Sequence, residues 1–231
     1  MVESKKEGDR QRLPGDLHHL GQVDHRYLER VRRAILHIFP HWNWRVGEEP
    51  IDVWCYSNCA EASLSLNGEG LGRKRMEKNG YLQWEVPYEP GRLVAEGFDE
   101  EGNLVLTVVN ETTGAPAGID LKPDRQTMKA DKKDLVVVNV SIVDEKGRVV
   151  PTAENLVVFS LEGPARILGV GNGNPISHEP DKSDRRRAFN GLCQVIVQST
   201  WEAGGIILRA ASRGLKPSEI RLSSGEEDQV P

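Results

Sequence analysis

The sequence is poor in cysteine, poor in aromatic rings and without any excess of positive charge. Its 231 residues hold three cysteines, Cys55, Cys59 and Cys193. So small an odd number does not make a disulfide framework. Cys55 and Cys59 stand four apart and would pair only across a tight turn, so all three read as small buried hydrophobes. No apolar run approaches the ~20 residues that cross a bilayer, and a membrane is not an expected partner. Thirty basic side chains against 35 acidic ones give a formal net charge of -5. That balance supplies no basic field to hold a phosphate backbone, which sets nucleic acid aside as a partner. The start, Met1–Arg12, is charged and lacks the apolar centre of a secretory signal.

Long segments of helical period are also missing after Pro40. Ahead of it, Tyr27–Ile38 (YLERVRRAILHI) fits two readings. Leu28, Val31 and Ile35 suit a short amphipathic helix, while its end, Ala34–Phe39, suits a strand. Pro40 closes either one. Residues 1–33 read as a poorly ordered leader or as the remnant of a neighbouring domain.

Beyond Pro40 the chain reads as strand after strand. Ile51–Ser57 is rich in β-formers, and Glu61–Leu66 alternates Ala62, Leu64 and Leu66 with Glu61, Ser63 and Ser65. Asn67-Gly68 is a two-residue hairpin signal. Leu71–Met76 returns, Asn79-Gly80 turns again, and Tyr81–Val86, Gly91–Phe98 and Asn103–Val109 continue the series. Thr112–Gly118 (TTGAPAG) reads as a linker. The pattern restarts with Arg125–Ala130, Leu135–Val143, Asn155–Leu161, Ala165–Val170, Leu192–Ser199, Gly205–Ala211 and Ser218–Leu222. Even spacing with turn chemistry between strands indicates sandwiches, not βαβ units. The expected fold is all-β, two tandem immunoglobulin-like antiparallel β-sandwiches at 34–111 and 119–223. The polar end, Ser223–Pro231, reads as frayed.

Two blocks resemble a known family. Leu36–Lys74, with its PHWNW block, its V-W-x-Y-S-N-C strand and its L-x-L-N-G-x-x-L-G hairpin, is similar to the β-sandwich that follows the catalytic barrel in β-galactosidase-like family 2 glycoside hydrolases. Pro151–Gly191, with G-V-G-N-G-N-P and R-R-A-F-N-G, resembles the C-terminal immunoglobulin-like domain of the same enzymes. Asp24–Arg33 is only loosely similar to the family's preceding segment. The resemblance implies a non-catalytic accessory region whose partner is the catalytic barrel of a bacterial parent hydrolase, periplasmic or extracellular rather than cytoplasmic. A carbohydrate-binding module and an immunoglobulin-like structural or adhesion spacer are the alternatives.

Chemistry-bearing residues are few. Family 2 hydrolysis uses two carboxyl groups ~5–5.5 Å apart on a barrel of ~250 residues. Here the carboxylates cluster in turns (Asp99, Glu100 and Glu101; Asp144 and Glu145; Glu226, Glu227 and Asp228), which assigns no catalytic residue. His41, Trp42 and Trp44 form a candidate contact with sugar or barrel, since indoles stack on the C–H faces of sugars. By the resemblance, the PHWNW block lies at the barrel rim. Asn172, Asn174, His178 and Arg186 form a candidate loop site. Gly169–Pro175 (GVGNGNP) opens no helix, so it lacks the context of a phosphate-binding loop, and its glycines read as positive-φ positions. Alternation along Arg185, Arg186 and Arg187 turns Arg186 away from its neighbours, with burial against Glu179 or Asp181 as the structural alternative. His18, His19, His25 and His37 lack companions at ligand spacing. Neither metal nor cofactor is expected.

Overall fold

A computed structural model describes residues 33–47 and 49–225. Residues 1–32, all of the leader but its last residue, and the last six residues lie outside the described residues, as does the first half of the helix considered over Tyr27–Ile38.

Seven strands form the first unit: β1 (Leu36–Phe39), β2 (Ile51–Ser57), β3 (Glu61–Leu66), β4 (Glu69–Arg75), β5 (Leu82–Val86), β6 (Arg92–Phe98) and β7 (Leu104–Glu111). Leu36–Phe39 is a strand because Leu36 and Ile38 turn inward and pair along Ser57 and Cys55. The sheets are β1-β2-β5 and β4-β3-β6-β7. In immunoglobulin lettering these are A-B-E and C′-C-F-G, the sandwich topology with inward residues at every second position. Val53, Cys55, Trp84 and Val86 from one sheet meet Ala62, Leu64, Leu93 and Ala95 from the other in one core.

Asn67 and Gly68 both take positive φ, as a tight β3–β4 hairpin requires. Asn79-Gly80 differs. Asn79 has positive φ and Gly80 does not, and the segment carries the chain from the sheet of β4 to the sheet of β5. It is a crossover, not a second hairpin.

Nine strands form the second unit: β8 (Gly118–Pro123), β9 (Thr127–Lys129), β10 (Leu135–Val143), β11 (Leu156–Glu162), β12 (Ala165–Gly171), β13 (Arg185–Arg187), β14 (Leu192–Ser199), β15 (Gly204–Ala211) and β16 (Ser218–Gly225). The sheets are β12-β14-β10-β8 and β13-β11-β15-β16-β9. The first has the order D-E-B-A. The A strand is split, so that β9 crosses to the other sheet and lies parallel to β16, the one parallel strand pair among the described residues. Val136, Val138, Val140, Val157, Val195, Val197 and Leu208 fill a core separate from the first.

Two expectations are corrected here. Gly118 belongs to β8 rather than to a linker, because Ile119 and Leu121 are buried and pair along β10. Ser223–Gly225 are not frayed. They continue β16 against β9, and the buried Ser224 hydroxyl donates to the Glu202 carbonyl at 3.1 Å. Both segments are short and polar, and a partner distant in sequence makes each a strand.

Leu208 is fully buried in the second core. Leu208→Ala is expected to cost about 2–5 kcal/mol of unfolding free energy, measured by urea denaturation followed by far-UV circular dichroism.

Candidate functional site at the junction of the two sandwiches

Beyond β1 the chain turns through Pro40 and sends three ring-bearing residues to different places. Trp42 enters the first core. It is almost fully buried, meets Tyr88 edge-on with ring centroids 5.3 Å apart, and donates its indole N–H to the Glu89 carbonyl at 2.9 Å. Its rings are therefore enclosed. His41 and Trp44 stay at the surface, stacked with centroids 5.0 Å apart, and Trp44 Nε1 donates to the His41 carbonyl at 2.8 Å.

The block is tied down by residues that read only as linker in the sequence. The Thr112 hydroxyl donates to the Trp42 carbonyl at 2.8 Å and accepts the Gly91 N–H at 3.1 Å. Asn43 and Thr113 exchange two hydrogen bonds: Asn43 Nδ2 donates to Thr113 Oγ1 at 2.9 Å, and Thr113 N to Asn43 Oδ1 at 3.0 Å. Next in the chain, Gly114 N donates to Asp144 Oδ2 at 2.9 Å. Asp144 lies in the turn after β10, only 5% exposed. It also accepts from the backbone of Lys146 and Arg148, both at 2.9 Å, and from Arg148 Nε at 3.0 Å and Nη2 at 2.6 Å. Arg148 Nη1 reaches Glu111 at 3.3 Å, and Glu111 is held from its other side by Arg92 at 2.7 Å. One relay of charges, Asp144–Arg148–Glu111–Arg92, thus runs from the second sandwich to the last strands of the first.

Two grooves open beside this relay. One, of about 750 Å³, is lined by Phe39, Pro40, His41, Val109, Val149 and Leu192 among others; the second, of about 580 Å³, by His41, Asn43, Trp44, Arg45 and Thr152 among others. His41 lies on both. Burial lowers its pKa, against an opposing backbone hydrogen bond. The neutral ring also suits Nδ1, which accepts the Asn43 N–H at 3.2 Å. The carboxylates here are clamped anions. The Arg148 guanidinium, and after it the Gly114 N–H, hold the Asp144 carboxyl far below the usual carboxylate range.

The loop residues gather elsewhere, around a cavity of about 180 Å³. Arg186 turns inward from β13, 4% exposed. Its Nη1 donates to the Glu179 carbonyl at 2.9 Å and to Asp181 Oδ1 at 3.0 Å, and its Nη2 to Asn172 Oδ1 at 3.3 Å. Asn172 Oδ1 also accepts from Asn174 N at 3.1 Å, and Asn172 Nδ2 donates to the Arg187 carbonyl at 2.9 Å. His178 is exposed and apart from this cluster. The guanidinium buckles the loop onto β13. Positive φ is not the role of the loop glycines: Gly169, Gly171 and Gly173 all lack it. At Gly169, beside a bulge in β12, the chain passes close to Asp181, whose carbonyl would lie 3.1 Å from an added Cβ. The cysteines are free and buried, and burial pushes the Cys193 thiol up to about 12 and that of Cys55 to about 11.

The comparisons agree with this architecture. Residues 119–221 match the family model described as glycoside hydrolase family 2 C-terminal domain 5, and residues 48–106 match a domain of unknown function, DUF4982. The chain is 42% identical over 218 residues to the Bacteroides ovatus β-galactosidase BoGH2A, which covers 93% of this chain and 25% of that protein. It is 34% identical over 194 residues to a Formosa agariphila β-glucuronidase, covering 82% of this chain and 19% of that one. A crystal structure of a family 2 member from Bacteroides cellulosilyticus superposes with a TM-score of 0.77 at 34% identity, over 84% of this chain and 29% of that chain. The chain belongs to the C-terminal region of the family 2 glycoside hydrolases. The chain spans a quarter or less of the length of those two curated relatives.

Two outcomes are expected at this junction. Asp144→Asn leaves the Gly114 and Arg148 donors short of an anion and should lower the thermal unfolding midpoint by several degrees at neutral pH. The folded carboxyl titrates below its unfolded value of about 3.9, so its stabilisation is whole above that pH and drains as pH falls below it. The gap between wild type and variant should therefore narrow from about pH 4 downward, read from melts across pH. In an NMR titration, the His41 ring should show a midpoint below about 6.5, and Trp44→Ala, by uncovering the ring, should move it upward.

Proposed function

We propose that the chain is a non-catalytic accessory region of a β-galactosidase-like parent hydrolase, where it supports the catalytic barrel and the edge of its substrate cleft. The observation that carries the proposal is the placement of the match. Both sandwiches align, in order, with the C-terminal quarter of a β-galactosidase, while retaining hydrolysis needs a facing carboxyl pair on a far larger scaffold. The buried junction carboxylate supports the same view. Asp144 is held by Arg148 well below the usual carboxylate range, whereas a general acid needs a raised pKa. Within this role, the exposed Trp44 and the half-buried His41 stacked on it are the ring pair available to barrel or sugar, while Trp42 holds the block in place.

The test is turnover. The purified chain, incubated with chromogenic β-galactosides and β-glucuronides, should release no more chromophore than buffer. Turnover abolished by replacing a carboxylate of this chain would overturn the proposal. Unchanged tryptophan emission on titration with galactosides would set the accessory role apart from that of a free-standing carbohydrate-binding module.

A further inference from the structure

The two outer faces of the first sandwich differ in kind. On the sheet β4-β3-β6-β7 the outward positions mix charge pairs, Arg73 with Glu61 and Arg92 with Glu111, with aliphatics of β7 such as Val105 and Val109, and present no row of rings. On the sheet β1-β2-β5 the outward positions alternate with core residues such as Ile38, Val53 and Cys55 and present four rings in a row. Phe39, Trp54, Tyr81 and Tyr56 are 53%, 36%, 56% and 41% exposed, with successive centroids 6.2, 5.9 and 5.9 Å apart. Only 6% of the chain is aromatic, so four contiguous rings on one face mark an interaction surface.

Ring tilt chooses the class of occupant. A glycan stacked on successive rings lies along one plane, and the rings beneath it share that plane. Here neighbouring rings are inclined by 39°, 46° and 42°. Such a row presents ridges and clefts, which suit interdigitation with the side chains of a protein surface.

Chain length and the point of entry choose the protein. Three quarters of the Bacteroides ovatus β-galactosidase lies outside the matched segment, and the match is to the family's C-terminal domain. The upstream side of this chain meets the sandwich at the same sheet. Asn58, at the end of β2, donates through Nδ2 to the Arg33 carbonyl at 3.0 Å and accepts the Ile35 N–H at 2.7 Å. The row begins on the next strand, β1. Resting on the accessory role proposed above, we infer that the row Phe39–Trp54–Tyr81–Tyr56 is the surface on which the upstream catalytic portion of the parent hydrolase docks.

Hydroxyl-radical footprinting tests it, with oxidation of Trp54, Tyr56 and Tyr81 followed by mass spectrometry in this chain alone and in the full-length parent. Trp201, 69% exposed on the β14–β15 turn of the second sandwich, is the internal reference. The three rings should oxidise several-fold more slowly in the parent, relative to Trp201. Equal relative rates in the two proteins would overturn the assignment. Protection arising in the isolated chain would also overturn it, in favour of a second copy if it grows with protein concentration, or of a glycan if it follows added oligosaccharide. The same parent preparation is assayed on chromogenic glycosides. A parent that hydrolyses them while its rings stay labelled defeats the docking face alone, and one without glycosidase activity defeats the accessory role beneath it.

Discussion

A single buried carboxylate fixes how the two sandwiches are joined. Asp144 gathers donors from the linker (Gly114), from its own turn (Lys146) and from Arg148, in backbone and guanidinium alike. A carboxylate taken out of water is costly unless its lone pairs are filled, so the turn that buries Asp144 must bring these donors with it. Arg148 is then held close enough to Glu111 to extend the relay into the first sandwich. The linker is consequently an anchored segment, with Thr112 and Thr113 bonded to Trp42 and Asn43 and Gly114 to the Asp144 turn. The grooves on either side of His41 are a consequence of that geometry.

Strands were legible in the sequence wherever burial alternates over enough residues to be seen locally. Glu61–Leu66 and Leu135–Val143 show inward residues at every second position, and the alternation marks both to the residue. The same logic failed for Gly118–Pro123, where only Ile119 and Leu121 mark the period, and for Ser223–Gly225, which carries no apolar residue at all. Those segments are strands because of partners distant in sequence, β10 for the first and β9 for the second. Turn chemistry was likewise a local guide with a limited reach. Asn67-Gly68 and Asn79-Gly80 are the same dipeptide, yet one closes a hairpin and the other crosses between sheets. What separates them is whether the next strand extends the same sheet, which neither dipeptide encodes.

The candidate residues show the same division. Alternation alone turns Arg186 inward, and Asp181 and Glu179 meet it there. His41, Trp42 and Trp44 were indistinguishable as letters. Their separation depends on Tyr88 and Thr112, which hold Trp42 from more than forty positions away. Thr112, Thr113 and Asp144 left no mark of their own: two small polar residues in a linker and an acid in a turn are the commonest surface features a sequence has.

Alternation also explains how the aromatic face could pass unnoticed. In β2, I-D-V-W-C-Y-S, the strand composition is evident while the outward set Asp52, Trp54 and Tyr56 mixes one acid with two rings. The first sandwich has only two sheets, so Val53 and Cys55 complete the core, while Trp54 and Tyr56 are left on the outside with Phe39 and Tyr81. Two rings beside one acid on that outward face are what the docking proposal rests on. On the opposite sheet, β3 alternates Ala62 and Leu64 with Glu61 and Ser63 and turns no ring outward. The asymmetry is therefore carried by the strands themselves, with the rings gathered on β1, β2 and the approach to β5.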